Sequence, residues 1–331
     1  MNPTVLMPER SIKSEAAHPT LRKVPQLSLM SYIEGSELDR QKFIDNLFSG
    51  MKDYGFIVLK EHPISSELLN RAYELIEEYF NLPVEAKMKY ALPDNGFQRG
   101  YTPFGKEHAK NAKVMDLKEF WHVGREINKD HKFAGVYPQN LWPMEVPEFR
   151  AVLSKIYVAL EQTGKILLQA MTGPLDVPYD YFDKLTEDGN SILRLLHYPP
   201  VPKDADPRCL RAAPHEDINL ITILVSATTS GLQLKDRDGT WIDIESDPNS
   251  LIVDSGDMLS RITNEVIPST THQVVNVQTG KSRYSMPFFM HPNPEAMLSC
   301  LNSCKGNKAL YPDILAQEFL MQRLREIGLI K

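Results

Sequence analysis

The sequence predicts an α+β chain in which helices come first, an antiparallel sandwich or jelly roll follows, and one helix closes the chain. Apolar residues recur at helical spacing in three long stretches before about residue 170. Beyond about residue 190 the texture changes to short β-like runs at close spacing, each bounded by turn residues. The tail then returns to a helical pattern. With no internal repeat and no low-complexity tract, this order favours one integrated core over two independent domains.

Residues 1–23 are polar and spotted with proline, and read as a flexible arm without the apolar centre of a signal peptide. "ELDRQKFIDNLFSGMKDYG" sets Phe43, Ile44, Leu47, Phe48 and Met51 on one stripe and stops at Gly55. "FIVLKEH" is a short strand. "SSELLNRAYELIEEYFNLP" is a second amphipathic helix, with Ser65 or Ser66 as cap and Pro83 just past its end. Residues 93–147 carry glycine, proline, aromatic and charged residues with little periodicity, and "PEFRAVLSKIYVALEQTGKILLQAM" is a third helix. The β-like runs are "SILRLLHY", "INLITILVSA", "GLQLK", "WIDI", "SLIVDSG", "HQVVNV" and "RYSMPFFM", and "PDILAQEFLMQRLREIGLIK" closes the chain as a helix. "DRDGTW" resembles the start of a calcium loop but lacks its later ligands, so Asp238-Gly239 reads as a hairpin turn.

Composition narrows the function classes. A net charge of −6 gives no electrostatic reason to expect a nucleic-acid partner. No apolar run approaches the roughly 20 residues of a membrane helix. Cys209, Cys300 and Cys304 make no disulfide framework and fit a reducing cytoplasm; the spacing of Cys300 and Cys304 reads as two ordinary thiols. The expectation is a cytoplasmic protein, a monomer or weak homodimer, acting on a small molecule.

The chemistry concentrates in "PHEDINLITIL". Charged residues seldom sit in a core unless they are paired or bind metal. Residues two apart on a strand share a face, so His215 and Asp217 point together and Glu216 points away. His272 in "STTHQVVN", several strands later, completes a two-histidine, one-carboxylate set of the kind that suits non-haem Fe(II) and leaves positions open for other ligands. Beyond it, "RYSMPFF" places Arg283 and Ser285 on one strand face, and Pro287 and Phe289 on the same side. A planar guanidinium beside a hydroxyl can hold a carboxylate.

With these flanks, "PHEDINLITIL", "GLQLKDRDGTWIDI", "LIVDSGDML", "STTHQVVN" and "SRYSMPFF" resemble the C-terminal core of the isopenicillin N synthase-like family of Fe(II)- and 2-oxoglutarate-dependent oxygenases. "VPQLSLMSY", "FIDNLFSGMKDYGFIVLKEHPIS" and "YFNLPVEAKMKY" are similar to that family's N-terminal region, and "RGYTPFGKE" to one of its loops. The resemblance implies an N-terminal helical region over 24–150 and, over 151–331, a double-stranded β-helix, or jelly-roll, core with its closing helix. It implies an oxidoreductase using Fe(II), 2-oxoglutarate and O2 to hydroxylate, desaturate or ring-close a small molecule, releasing succinate and CO2. His215, Asp217 and His272 match the iron ligands. Arg283 and Ser285 match the pair that grips the distal carboxylate of 2-oxoglutarate, with Tyr198 beside them. Tyr101 and Phe289 match substrate-pocket positions, while His197 and His291 match no ligand position. Leu196 stands where many plant members carry Asn. That departure motivates an alternative, a direct oxidase that needs no 2-oxoglutarate. A non-catalytic jelly-roll binding module is the alternative of another class. Arg99, Lys106, Arg125 and Arg194 are the cations that an acidic substrate could meet.

Overall fold

The computed structural model describes residues 23–326, apart from 94–95, 107–114, 202–205, 207 and 277–279. The expected arm, residues 1–23, lies almost wholly outside the described residues, as does the end of the closing helix. The chain enters through strand β1 (Gln26–Ser28) and helix α1 (Leu29–Ile33). Helix α2 (Glu37–Tyr54) starts at a capping box: the Ser36 hydroxyl accepts from the Asp39 N–H, and the Asp39 carboxylate accepts from the Ser36 N–H. It stops where the sequence indicates, at Gly55, whose φ of 66° is left-handed and suits glycine. Strand β2 (Phe56–Lys60) follows, and then helix α3 (Ser66–Phe80), whose cap is Ser65. Short helix α4 (Val84–Met88) leads to strands β3 (Gly100–Thr102) and β4 (Glu119–Gly124). Helix α5 (Phe149–Ala170) and short helix α6 (Tyr181–Thr186) precede the β-rich part.

That part comprises β5 (Ile192–Tyr198), β6 (Ala212–His215), β7 (Ile221–Val225), β8 (Leu232–Lys235), β9 (Trp241–Asp243), β10 (Leu251–Ser255), β11 (His272–Val274) and β12 (Arg283–Met290). Short helix α7 (Asp257–Ile262) interrupts it, and helix α8 (Ala316–Glu326) closes the described chain. Every β-like run of the sequence contributes a strand. Asp238-Gly239 is the turn between β8 and β9, with Gly239 at φ 88°.

The strands form an eight-stranded sheet in the order β1-β2-β10-β7-β12-β5-β4-β3 and a four-stranded sheet in the order β6-β11-β8-β9. All pairings are antiparallel except β1 with β2. The 24–150 region, expected to be helical, thus supplies four strands to the large sheet. β3 and β4 were hidden because their runs are short and mix charged with aromatic residues.

Strand alternation sorts the side chains of the large sheet onto two faces. Leu193, Leu195, Ile223, Met286 and Phe288 join one apolar cluster with Leu75, Ile76 and Tyr79 of α3 and Leu153 and Ile156 of α5. Phe56, Val58, Phe120, Leu196, Tyr198 and Ile252 point the other way, into a second cluster with Ala212, Leu232, Leu234 and Val274 of the small sheet. The second cluster is the inside of the jelly roll. Register fixes one row across that inner face: Gly124 pairs with Ile192, Ile192 with Phe289, Phe289 with Thr222, and Thr222 with Asp254.

Candidate metal and carboxylate site

His215 ends β6 and is the direct cross-strand partner of His272 on β11. Asp217 is not on their strand. β6 ends at His215 and β7 begins only at Ile221, so His-x-Asp spans the corner where the chain leaves the small sheet for the large one. His215 and Asp217 still converge, but the corner turns them together rather than the pleat of a single strand. Glu216 points away and accepts a hydrogen bond from the Thr271 hydroxyl.

One donor atom from each of His215, Asp217 and His272 lies within 4.8 Å of the others. The Nε2 atoms of His215 and His272 stand 3.8 and 3.9 Å from Asp217 Oδ1. Each imidazole turns Nδ1 to a backbone carbonyl, His215 to Ala213 at 2.8 Å and His272 to Thr270 at 3.2 Å. A carbonyl can only accept, so Nδ1 carries the proton in both rings and Nε2 offers its lone pair to the centre. Burial, then neighbouring His272, push His215 down to about 4, so it is neutral at physiological pH. Burial would raise the Asp217 carboxyl, but the flanking imidazoles and the Thr222 hydroxyl outweigh it and hold it below the usual carboxylate range. Asn219 Nδ2 donates to Thr222 Oγ1 at 2.9 Å, and that hydroxyl donates to Asp217. Two imidazole donors and one oriented carboxylate form a set that fits a divalent transition metal.

Arg283, on β12, is 2% exposed. Its Nε donates to the Thr229 carbonyl at 3.1 Å, its Nη1 to Ser285 Oγ at 3.3 Å, and its Cζ lies 5.0 Å from the centre of the Tyr198 ring. No carboxylate among the described residues lies within ion-pairing distance of it. Arg211 is buried nearby, and burial first, then the Arg283 charge, push its guanidinium below the usual arginine value. A buried guanidinium with a hydroxyl beside it and no counter-charge among the described residues fits an anionic ligand. Leu196 lies opposite Ser285 and packs on the inner apolar cluster, so this part of the wall is greasy.

Phe289 is the only partly exposed residue of β12, and it faces inward. Arg194 lies 5.2 Å from its ring and 4.3 Å from that of Phe120, and donates from Nε to His122 Nε2 at 2.7 Å. Tyr101 is elsewhere. It pairs with Trp121, packs among the helix-side aromatics, and donates its hydroxyl to Glu119. The pocket role expected for Tyr101 is therefore corrected: strand parity sends it to the opposite face of the sheet. There Glu119 also accepts from Lys87 at 2.9 Å and meets His197 Nδ1 at 2.7 Å, forming a buried structural network. Arg125 is committed to Glu161 and to the Gly189 carbonyl.

Three neighbours of the site escaped the sequence reading. Thr222 and Asn219 orient Asp217. Asp254 sits beside it, its carboxyl pushed well above the usual range by burial and then by the Asp217 charge. An acid inside the apolar run "LIVDSG" was the available signal for Asp254. His291, pushed down to about 4 by burial, also senses the Asp217 charge.

The chain is similar to known proteins in sequence and in fold. Residues 24–145 match the family model described as the N-terminal region of non-haem dioxygenases in morphine synthesis, and residues 189–292 match that of the 2OG-Fe(II) oxygenase superfamily. A 2-oxoglutarate-Fe(II) type oxidoreductase of Emericella nidulans is 33% identical over 85% of this chain and 83% of its own length. A 2-oxoglutarate-dependent dioxygenase of Monascus ruber is 30% identical over 91% of this chain and 94% of its own. Among solved structures, a 2OG-Fe(II) oxygenase family protein from Caulobacter crescentus is 41% identical, with TM-score 0.83 over 92% of this chain and 99% of that one. A full-length Neurospora crassa protein, solved in complex with alpha-KG, has TM-score 0.83 at 27% identity, over 93% of this chain and 98% of that one.

Proposed function

We propose residue roles on the premise that this chain belongs to the 2OG-Fe(II) oxygenase superfamily. It is an Fe(II)- and 2-oxoglutarate-dependent dioxygenase that oxidises a small molecule, with release of succinate and CO2. In our reading His215, Asp217 and His272 hold the iron, and the observation that carries this is the pair of Nε2 lone pairs turned onto the Asp217 carboxylate. Bound Fe(II) supplies the activation of O2 and couples it to oxidative decarboxylation of 2-oxoglutarate.

The chain does the rest. The Ala213 and Thr270 carbonyls fix both imidazole tautomers, and Thr222 orients Asp217. Arg283 grips the distal carboxylate of 2-oxoglutarate, Ser285 adds a hydroxyl donor, and Tyr198 stacks beneath the guanidinium. Burial excludes the water that would compete for that carboxylate. Phe289 forms part of the floor on which the substrate lies. Leu196 motivated a direct oxidase, but the relatives named above are 2-oxoglutarate enzymes, and Leu196 simply fills the inner wall.

We further read the protein as cytoplasmic and as a monomer or weak homodimer without a nucleic-acid partner. Free thiols at Cys209, Cys300 and Cys304 and the net charge of −6 support this. No helix of the described residues is long and apolar enough to cross a membrane. The test is a screen of small molecules under air with Fe(II), with and without 2-oxoglutarate, following succinate and substrate mass. Product formation that requires 2-oxoglutarate and vanishes in Asp217→Ala is expected. Product formation independent of either would overturn the assignment.

A further inference from the structure

Arg99 is an unusual buried cation that packs against Gly124 at the end of β4, with Tyr157 of α5 and Tyr137 as its titratable neighbours. Its side chain is 0% exposed, yet among the described residues the only hydrogen bond of its guanidinium runs from Nη1 to the carbonyl of neighbouring Gln98, at 2.7 Å. Nε and Nη2 are buried without a partner among those residues. Burial pushes it down to about 10, so it stays charged at neutral pH. Internal counter-charge is what normally permits such a residue.

Gly124 shows where the guanidinium lies. Along β4, Trp121 and Val123 face the helices and Phe120 faces the inside of the jelly roll, so parity directs position 124 inward. A Cβ at Gly124 would fall 2.0 Å from Arg99 Cζ and Nη2 and 2.2 Å from Nε. The absent side chain of Gly124 leaves the space that the guanidinium fills. Gly124 heads the row that runs through Ile192 and Phe289 to Thr222, the residue that holds Asp217. Ile192 and Phe289 are partly exposed whereas their helix-side neighbours are buried, so the jelly roll is open at the middle of this row, between its buried ends at Gly124 and Thr222. Three strand spacings, roughly 14 Å, separate the two ends.

We propose that Arg99 is a substrate-recognition residue: it pairs with a carboxylate at one end of an elongated, otherwise apolar acid, whose body lies over Ile192 and Phe289 and whose far end is oxidised at the His215–Asp217–His272 centre. This rests on the dioxygenase reading above and names the substrate class for that site. It is distinct from Arg283, which holds the co-substrate from β12. Guanidinium rather than ammonium suits a planar, bidentate acceptor. A cation that lacks a partner until substrate arrives costs stability, as recognition sites commonly do.

The experiment uses the full chain and a ladder of acids from phenylacetate to phenylhexanoate, each against its own carboxamide. Three quantities are read: the thermal midpoint of the protein alone, its shift with each compound, and the succinate released with Fe(II), 2-oxoglutarate and air. Wild type is expected to be stabilised and stimulated by at least one of the longer acids and not by its amide. Arg99→Met is expected to need at least about tenfold more acid, as loss of a buried charge pair implies. Its own midpoint should be no lower than wild type, because an unpaired buried charge has been removed, and Arg99→Lys should recover part of the response. A lower midpoint for Arg99→Met would make Arg99 a structural residue. Equal responses to acid and amide, or an unchanged response in Arg99→Met, would also overturn the proposal. Succinate formation from wild type that persists in Asp217→Ala would remove the dioxygenase reading, and this inference with it, whereas a wild type that converts 2-oxoglutarate through Asp217 but responds to no acid would overturn this inference alone.

Discussion

Arg283→Leu tests the proposed co-substrate grip separately from the proposed metal site. The guanidinium is 2% exposed and held by the Thr229 carbonyl, the Ser285 hydroxyl and the Tyr198 ring. Its position therefore does not depend on ligand, and a carboxylate bound there would be shielded from water. Truncating one partner of such a pair costs about 2–5 kcal/mol, much of it from the charge left unpaired. At about 1.4 kcal/mol per tenfold, affinity for 2-oxoglutarate should fall by about 30-fold to a few thousand-fold. Fe(II) affinity should hardly change, because Arg283 is on β12 and the proposed ligands are not. Arg283→Lys should recover only part, since an ammonium lacks the planar fork. The assay is an anaerobic titration of the Fe(II) protein with 2-oxoglutarate, following the visible charge-transfer absorption of the chelate. Unaltered affinity in Arg283→Leu would refute the assignment, and a parallel loss of iron would show that the two sites are not independent.

Thr222→Val keeps the shape of the inner wall but removes the hydroxyl that orients Asp217; Fe(II) affinity, measured by metal titration, should drop about 10–100-fold with little change in the thermal midpoint. Gly124→Ala would place a methyl where the Arg99 guanidinium lies, so it should cost about 1–3 kcal/mol in urea unfolding and weaken the acid response without altering Arg99 chemically. Glu119→Ala strands buried Lys87, and urea unfolding at pH 7 should show a loss of about 3–5 kcal/mol. The same network sets a pH dependence. Burial raises the Glu119 carboxyl, but bonds from His197, Tyr101 and Lys87 outweigh it and leave it below its ordinary 4.5. The unfolded state thus binds the proton more readily, so this contribution is complete above about pH 4.5 and is lost as pH falls through the lower folded value. The difference in stability between wild type and Glu119→Gln should shrink over that acid range; a difference that grew there would contradict the network.

The strands were legible wherever two-residue alternation was flanked by turn residues, as in "GLQLKDRDGTWIDI", because pleat and turn chemistry are local. β3 and β4 were not, since a three-residue strand and the charged start of "EFWHVG" leave too little pattern. Their place in the large sheet is set by pairing with β5, a contact distant in sequence. The convergence of His215, Asp217 and His272 and the pairing of Arg283 with Ser285 could be anticipated because residue type, order and flanks carried the information. The chain's turn between sheets at Asp217 could not, as nothing in "HED" says where one strand ends. Tyr101 failed for a related reason: which face a residue takes depends on register, and a shift by one residue reverses it. Arg99 was visible only as one cation among four. Its lack of a partner among the described residues is a property of the packed wall.

The most direct test of the account follows the oxygen atom. Protein with Fe(II) and 2-oxoglutarate is exposed to 18O2, and the succinate is analysed by mass. The account predicts succinate carrying a single labelled oxygen from wild type, none above background from Asp217→Ala, and restored labelling at high 2-oxoglutarate in Arg283→Lys. Unlabelled succinate from wild type, or labelled succinate in equal amount from Asp217→Ala, would contradict it.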